Sequence, residues 1–198
     1  MLERISNYKI NQTNFRICYG NITEMTADVL VSSDDNYLSM SSGVSLSLLN
    51  GGGEEIRREA HQQVPLKVGE VAVTTAGQLD ARFIFHAVTL GYDQEHDLLV
   101  YPSEEIICSA TEKCLQLSDK FNIHSIVFPA LGTGVGRFSF QSAADSMTRT
   151  IINYLTEETQ IETVVITLFA RLGVNESDLN NFYERATALA SEFTKIED

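Results

Sequence analysis

Three alternate glycines, Gly132, Gly134 and Gly136, form the segment of this sequence best suited to binding an anion. An apolar run at residues 125–129, which predicts a buried strand, precedes them, and a helix-like segment follows. Glycine lets backbone N–H groups approach a ligand closely, and a helix N-terminus adds partial positive charge. The segment therefore predicts a phosphate-binding loop, with an ordinary tight strand-to-helix turn as the alternative.

Neither common nucleotide-binding fingerprint is present in the chain. Arg137 occupies the third glycine position of G-x-G-x-x-G, and no Gly-Lys-Ser or Gly-Lys-Thr of a P-loop occurs. The glycines also lie late in the chain, whereas the glycine loop of the usual dinucleotide-binding fold follows the first strand. Arg137 itself either bridges a phosphate or is a solvated loop residue.

A second segment with anion-binding potential follows the apolar residues 28–31. The chain there becomes polar, Ser32-Ser33-Asp34-Asp35-Asn36, and a short helix is predicted to begin near Ser42. The N-terminus of that helix is a second candidate anion site. Two such loops can hold two phosphates, or the two ends of one diphosphate.

The elements that must position these loops alternate between strands and helices. Strands are predicted at residues 14–19, 28–33, 70–75, 83–88, 125–129 and 163–169, and residues 90–99 are predicted to form a surface loop. Helices are predicted between them, including two at 44–49 and 54–63 that Gly51-Gly52-Gly53 separates. This alternation predicts an α/β fold, a single domain over residues 1–198 built as a three-layer α/β/α sandwich with a mixed, largely parallel central sheet.

Composition restricts the partners of this domain. The net charge of −13 disfavours nucleic acid, since Lys and Arg supply most of the affinity for phosphate polymers. No apolar run is long enough to span a bilayer, so no membrane contact is predicted. Three cysteines without metal-ligand spacing predict a reduced cytoplasmic protein. None of the four histidines pairs with another ligand at a suitable spacing, so no metal is expected, and no cofactor is expected either. A small nucleotide ligand is the expected partner. The chain can also be one part of a longer multidomain protein.

Ordered short motifs over about residues 14–170 resemble the macro domain family, whose members bind ADP-ribose. The resemblance implies the macro domain fold and a binding site for ADP-ribose or a derivative. The motifs that carry it are Gly20-Asn21-Ile22-Thr23, Ala27-Asp28-Val29-Leu30-Val31, Gly43-Val44, Gly69-Glu70-Val71-Ala72-Val73-Thr74, Phe83-Ile84-Phe85-His86 and Phe128-Pro129-Ala130-Leu131-Gly132-Thr133-Gly134.

The resemblance also implies individual roles. Asn21 would receive the adenine amine, where the family usually has Asp, and Phe169 would pack on the adenine unless it is a plain core residue. The N–H groups of residues 42–44 would bind one phosphate, and residues 132–136 would surround the diphosphate and the second ribose. The full predicted ligand-binding set is Asn21, Ile22, Ser33, Asp35, Ser42, Gly43, Val44, Leu131, Gly132, Thr133, Gly134, Val135, Gly136, Arg137 and Phe169.

The chain departs from the family's hydrolases at one motif. They carry Val-Asn-Ala-Ala-Asn where this chain has Val31-Ser32-Ser33-Asp34-Asp35, and their last Asn holds the ribose nearest the scissile bond. Asp35 takes its place, or Asn36 if the loop is shifted by one residue. The glycine triplet before Val44 is reduced to Ser41-Ser42-Gly43, and Gly136 replaces an aromatic residue. These departures weaken the case for catalysis.

The predicted function is therefore a binding module or sensor for ADP-ribose or a derivative, with bacterial NAD-derived signalling or defence as a suggested context. The alternative is an ADP-ribosyl hydrolase or O-acetyl-ADP-ribose deacetylase that uses Asp35, and a third hypothesis is a scaffold without ligand. We also expect Asp34 or Asp35 to contact a substituent on the ligand, against the alternative that both only make turn or cap hydrogen bonds. His86, on an apolar strand, is predicted to be a satisfied core histidine.

Overall fold

The computed structural model describes residues 4–170 and 174–196. The strands in these residues are β1 (Ile5–Ile10), β2 (Thr13–Tyr19), β3 (Val29–Asp35), β4 (Val71–Thr75), β5 (Phe83–Asp93), β6 (Leu98–Val100), β7 (Ser125–Phe128), β8 (Thr163–Leu168) and β9 (Thr194–Ile196). The helices are α1 (Gly43–Gly52), α2 (Glu54–Ala60), α3 (Glu104–Lys120), α4 (Phe140–Leu155) and α5 (Glu176–Ala190), and a short 3-10 helix covers Ile22–Glu24.

The central sheet is mixed, with a parallel core. Its strand order is β4-β5-β3-β7-β8-β2-β1-β9, and β6 pairs with the far end of β5. Strands β5, β3, β7, β8 and β2 run parallel to one another, whereas β4 and β6 pair with β5, β1 pairs with β2, and β9 pairs with β1 in the antiparallel sense. The predicted mixed, largely parallel sheet is confirmed. Because β3, β7 and β8 are parallel neighbours, their carboxyl ends meet at one edge.

Helices cover both faces of this sheet, which confirms the three layers. The apolar sides of α3, α4 and α5 pack on one face, where the alternate residues Val29 and Val31 of β3 point. Helices α1 and α2 pack on the other face, against residues that include Leu30 and Ile84. The amphipathic spacing of α4 explains its place, since residues 143, 144, 147, 151 and 155 are all buried.

Three local predictions differ from the structure. Residues 90–99 are not a loop, because β5 continues to Asp93 and turns into β6. The Asp93 carboxylate accepts the N–H groups of Glu95 and His96 and so closes the hairpin. The prediction also lacked strands β1 and β9 at the sheet edge. Helix α1 continues through Gly52, where a Cβ would lie 2.7 Å from the Ala76 carbonyl oxygen, so this glycine permits close packing.

Among the described residues, no helix has the length and apolar character needed to cross a membrane. The same residues contain no cluster of His, Cys, Asp and Glu side chains arranged to hold a metal ion.

Candidate functional site

A cavity of about 250 Å³ opens at the carboxyl ends of β3, β7 and β8. Its wall includes the polar end of β3, the N-terminus of α1, the segment after β7 and the end of β8. All the predicted ligand-binding residues line this cavity except Leu131 and Arg137. Residues separated by up to about 150 positions in the chain therefore meet as the parallel sheet requires.

The two exceptions have different causes. Leu131 is fully buried in the core, at 0% exposure, and its N–H donates to the Met147 sulfur at 3.4 Å. Arg137 is exposed and has a left-handed backbone, with φ of +52°. Neither side chain is part of the cavity wall, so their placement in the ligand-binding set is not supported by the structure. The sequence does not show which residues of this loop point into the core and which line the cavity.

The segment 132–138, which we call the glycine loop, is closed by its own backbone. The N–H of Phe138 donates to the Gly132 carbonyl at 3.0 Å, and the N–H of Arg137 donates to the Gly134 carbonyl at 3.1 Å. Gly132 has φ of +75°, and a Cβ there would lie 2.9 Å from Ile107 Cδ1. The N–H groups of residues 133–136 have no acceptor in the described part of the chain. These are spare donors suited to an anion.

Ser33 joins the glycine loop to the sheet. Its Oγ accepts the N–H of Gly132 at 3.2 Å and makes a 2.9 Å hydrogen bond with the Thr89 hydroxyl of β5. The hydroxyl therefore fixes the start of the loop against two strands. This supporting contact differs from direct ligand binding, although Ser33 also lines the cavity.

The second set of free donors is at the N-terminus of α1. Ser42 is the N-cap residue, and its side chain makes no cap hydrogen bond. Gly43 has φ of +64°, a conformation that favours glycine. The N–H groups of residues 43–45 have no acceptor among the described residues, and the helix dipole adds partial positive charge there. This end of α1 also lines the cavity.

Asp35 closes the segment that links β3 to α1. Its carboxylate accepts the N–H of Tyr37 at 2.9 Å and the N–H of Ser39 at 3.3 Å, and it also accepts the Ser39 hydroxyl. Such turn hydrogen bonds were the predicted alternative to a contact between Asp35 and a ligand. Asp35 still lines the cavity, but its oxygens are occupied by its own loop.

Asn21 is also engaged locally. Its Oδ1 accepts the N–H of Thr23 at 3.2 Å and the Thr23 hydroxyl at 2.9 Å, and its Nδ2 donates to Glu24. Both lone pairs of the oxygen expected to meet an adenine amine are therefore used to cap the 3-10 helix. The neighbouring N–H of Ile22 has no acceptor in the described residues and is the free polar group at this corner.

Phe169 follows β8 and is 52% exposed while lining the cavity. The alternative that it is a core residue is wrong. An exposed ring on a cavity wall offers a flat apolar surface for a base.

The prediction that His86 is a satisfied core histidine is confirmed. Its ring is fully buried, with Nδ1 3.0 Å from Asp34 Oδ2 and Nε2 3.0 Å from Thr74 Oγ1. Asp34 lines the cavity, and the predicted ligand-binding set did not include it. The register that places β5 beside β3 brings the two residues together, and local sequence patterns do not show such a pairing.

Sequence reasoning also missed several other wall residues. They come from the first turns of α1, from β5 and from the start of α4 and α5, and include Ser45, Ser47, Thr89, Leu90, Phe140 and Leu179.

Cys18 lies on β2 near Thr167, and burial raises the pKa of its thiol, which keeps it protonated. A nucleophilic role for Cys18 is therefore unsupported.

The charged side chains of the described cavity wall are all acidic. Its described residues include the carboxylates Asp34 and Asp35 but no Lys, Arg or His. Any anion bound here is therefore held by backbone N–H groups and helix dipoles rather than by side-chain cations.

The described residues form an α/β domain with a mixed sheet, and at the carboxyl edge of the sheet two loops present N–H groups that have no acceptor in this part of the chain. The model of the Macro domain family matches residues 31–147, and the chain belongs to that family. A protein from Sulfolobus acidocaldarius is 36% identical over 139 residues, covering 68% of this chain and 73% of its own length. A protein from Aquifex aeolicus is 36% identical over 138 residues, covering 70% and 81%.

Solved macrodomains have the same fold. The Oceanobacillus iheyensis macrodomain with MES bound superposes with a TM-score of 0.83 at 27% identity, covering 97% of this chain and all (100%) of that one. The same macrodomain with ADP gives 0.81 at 28% identity, covering 98% and 100%. The family resemblance and the fold expected from it are confirmed.

Proposed function

We propose that the chain binds ADP-ribose or a close derivative and acts as a reader or sensor of that nucleotide. The observation that carries the proposal is the presence of two sets of backbone N–H donors on the wall of one cavity, at residues 43–45 and 133–136, which have no acceptor within residues 4–170 and 174–196. A diphosphate is the ligand whose two charged groups match two such sets. Phe169 supplies an exposed ring for a base in the same cavity.

The comparisons support this ligand class. The Oceanobacillus iheyensis macrodomain that was solved with ADP is 28% identical to this chain over nearly its whole length. The Trypanosoma brucei macrodomain solved with ADP-ribose is 21% identical and supports the fold only.

We favour binding without turnover over hydrolysis. The hydrolase alternative needs the Asp35 carboxylate to orient water or act as a base, and both of its oxygens accept hydrogen bonds from residues 37 and 39. The proposal places this sensor in the cytoplasm, which its three free cysteines support. A bacterial NAD-derived signal is the context in which such a sensor would act.

The test is a calorimetric titration of the purified chain with ADP-ribose, and with AMP as a ligand that lacks the diphosphate. We expect micromolar binding of ADP-ribose and a loss of about tenfold or more with AMP, because one donor set is left without a phosphate. Absence of heat with ADP-ribose would contradict the proposal. A parallel incubation with mono-ADP-ribosylated protein should release no ADP-ribose, and steady release would establish the hydrolase alternative instead.

A further inference from the structure

The hairpin formed by β5 and β6 carries exposed apolar side chains. Tyr92 on β5 is 38% exposed, and Leu99 on β6 is 59% exposed. Because Tyr92 and Leu99 are paired across the two strands, their side chains leave the same face of the hairpin. Tyr101, which is 60% exposed, follows shortly after Leu99. We call these three residues the hairpin surface.

The hairpin is attached to the segments on both sides of the cavity. At one end, the Asn36 side chain accepts the N–H of Tyr92 at 3.0 Å and donates to the Tyr92 carbonyl at 3.1 Å. At the other end, Pro102 packs against the glycine loop, since a Cβ on Gly132 would lie 3.0 Å from the Pro102 Cβ. Leu90, just before Tyr92 on β5, lines the cavity itself. The hairpin surface is therefore held beside the cavity.

The apolar side chains of the hairpin form a cluster. Among the described residues, the hairpin and its exit carry more exposed large apolar side chains than any other element, namely Tyr92, Leu98, Leu99 and Tyr101. Single exposed apolar side chains are normal, whereas a cluster of them indicates an interaction site. Aromatic residues such as tyrosine are enriched where proteins dock. The cluster therefore favours a protein partner.

The charges around the hairpin surface define the chemistry of that partner. The sequence has no Lys or Arg from residue 83 to residue 112. The exposed acidic side chains of the hairpin and of the start of α3 outnumber the exposed basic residues of the neighbouring segments, Lys67 and Arg137. These acidic residues are Glu95, Asp97, Glu104 and Glu105. They repel an anionic membrane and a second copy of this chain, whose net charge is −13, and they attract a basic segment.

We propose that the hairpin surface docks a basic polypeptide segment that carries ADP-ribose. Apolar side chains of the segment pack on Tyr92, Leu99 and Tyr101, its Lys or Arg side chains lie against the surrounding carboxylates, and its nucleotide occupies the cavity. The inference rests on the proposed function and adds the class of partner that presents the nucleotide. The chain then selects among modified proteins by the residues that flank the modification.

The test is a calorimetric titration with two synthetic peptides that carry ADP-ribose on a central residue through a linkage resistant to hydrolysis. One peptide has Arg and Leu on both sides of that residue, and the other has Glu and Ser in their place. We expect the basic peptide to bind about tenfold more tightly at low ionic strength. Added salt should reduce this preference because it screens the charged contacts. Equal affinities at low ionic strength would overturn the proposal.

An apolar variant locates the preference on the hairpin. Leu99→Ser removes an exposed side chain that does not line the cavity, so free ADP-ribose should bind as it does to the wild type. The preference for the basic peptide should fall by about fivefold, as expected when a central interface side chain is removed. The matched control is Ile5→Ser, which removes an exposed apolar side chain from β1 at the other side of the sheet. A preference that Leu99→Ser leaves intact, or an equal fall in Ile5→Ser, would overturn the proposal.

A pair of charge reversals separates the hairpin from the long-range field of the chain. Glu95→Lys changes an exposed residue of the hairpin, and Glu158→Lys changes an exposed residue between α4 and β8, so both alter the net charge equally. The preference for the basic peptide should fall about threefold further in Glu95→Lys than in Glu158→Lys. Equal falls would mean that the overall charge attracts the peptide, which would overturn the role of the hairpin.

Sedimentation velocity of the chain without ligand checks the other occupant of this surface. We expect a monomer, because two acidic hairpin surfaces repel each other. A dimer that Leu99→Ser dissociates would overturn the proposal, since a second copy would then cover the hairpin surface.

The two proposals fail in distinguishable ways. Wild-type protein that binds neither free ADP-ribose nor either peptide contradicts the proposed function itself. Wild-type protein that binds free ADP-ribose and does not distinguish the two peptides contradicts only the role of the hairpin surface.

Discussion

The glycine loop and the segment 35–42, which we call the serine loop, follow neighbouring parallel strands and line the same cavity, but they are built differently. The glycine loop holds its shape through backbone hydrogen bonds, with Gly132 at φ of +75°. The serine loop is held by the Asp35 carboxylate and by two buried side chains, Leu38 and Met40, at φ of +49° and +48°. Nonglycine residues adopt such φ values at a cost in free energy, and in the serine loop this cost is offset by the burial of both side chains.

The difference separates two ways to present N–H groups to an anion. The glycine loop carries its free donors itself, at residues 133–136. The polar groups of the serine loop form hydrogen bonds with one another. The loop instead fixes the start of α1, whose residues 43–45 carry the donors. Changes in the serine loop should therefore reduce stability first, and changes in the glycine loop should reduce binding first.

The largest expected effect is the loss of a buried anchor of the serine loop. Leu38→Ala removes a side chain that is 0% exposed, and we expect it to lower the free energy of unfolding by about 2–5 kcal/mol. Val135→Ala, at a glycine-loop residue that is 64% exposed, is the control and should change stability by less than about 0.5 kcal/mol. Urea denaturation measures both. Equal effects of the two variants would remove the distinction between the loops.

The glycine loop should be sensitive to a side chain at Gly132. In Gly132→Ala a side chain must adopt a positive φ and meet Ile107 and Pro102 at 2.9 and 3.0 Å, which displaces the donors that follow. We expect an unfolding free energy lower by about 1–3 kcal/mol and ADP-ribose affinity lower by about tenfold. Gly134→Ala, without a positive φ, is the matched control in calorimetry and should bind more tightly than Gly132→Ala. The reverse order would contradict this account of the loop.

The carboxylate of the serine loop should have a smaller effect. Asp35→Asn and Ser39→Ala each disturb the same contact between residues 35 and 39, and each should cost about 1 kcal/mol of unfolding free energy. Because they remove one shared interaction, the double variant should cost less than the sum of the two. Chemical denaturation of the three variants tests this. Strict additivity would show that Asp35 and Ser39 do not stabilise the loop together.

The smallest expected effect lies between two helices, where Asp145 of α4 pairs with Arg185 of α5 at 2.7 Å. The hydrogen bond and charge of Arg185 hold the pKa of Asp145 below its ordinary value of 3.8. The pair therefore stabilises the fold above that value and stops doing so as the pH falls through the lowered pKa. Asp145→Asn should cost about 0.5–1 kcal/mol at pH 7 in this partly exposed pair.

The pH dependence provides the check on this pair. The difference in stability between Asp145→Asn and the wild type should shrink as the pH is lowered below 3.8, as measured by thermal denaturation at several pH values. A difference that stays constant across this range would contradict the lowered pKa. ADP-ribose affinity at pH 7 should be unchanged, since neither residue lines the cavity.

Much of the fold could be predicted because its signals are local. The stripe of α4 and the apolar runs of β3, β5, β7 and β8 follow the periods of helices and buried strands, and the structure places them accordingly. Strands β1, β6 and β9 were missed. Strand β9 pairs with β1 from the far end of the chain, whereas β1 and β6 form hairpins with β2 and β5 that the prediction did not recognise. Gly52 was read as a helix break, although close packing against Ala76 explains it.

The candidate site divides in the same way. The free donors of the glycine loop and of α1 follow from glycines and a helix start, which sequence reveals. The roles of Asp34 and Asp35 depend on which oxygen meets which neighbour, and no local pattern contains that information. Both residues look alike in the sequence, yet one closes its own loop while the other is fixed by His86 of a neighbouring strand.

The most direct test of the central claim is an amide NMR titration of the ¹⁵N-labelled chain with ADP-ribose. The account predicts that the largest shifts occur at the N–H groups of residues 43–45 and 133–136, which have no acceptor in the described part of the protein. Amides near Asp145 should stay in place. Binding that leaves both donor sets unshifted, or that shifts only one of them, would contradict the claim that they hold the two phosphates of one ligand.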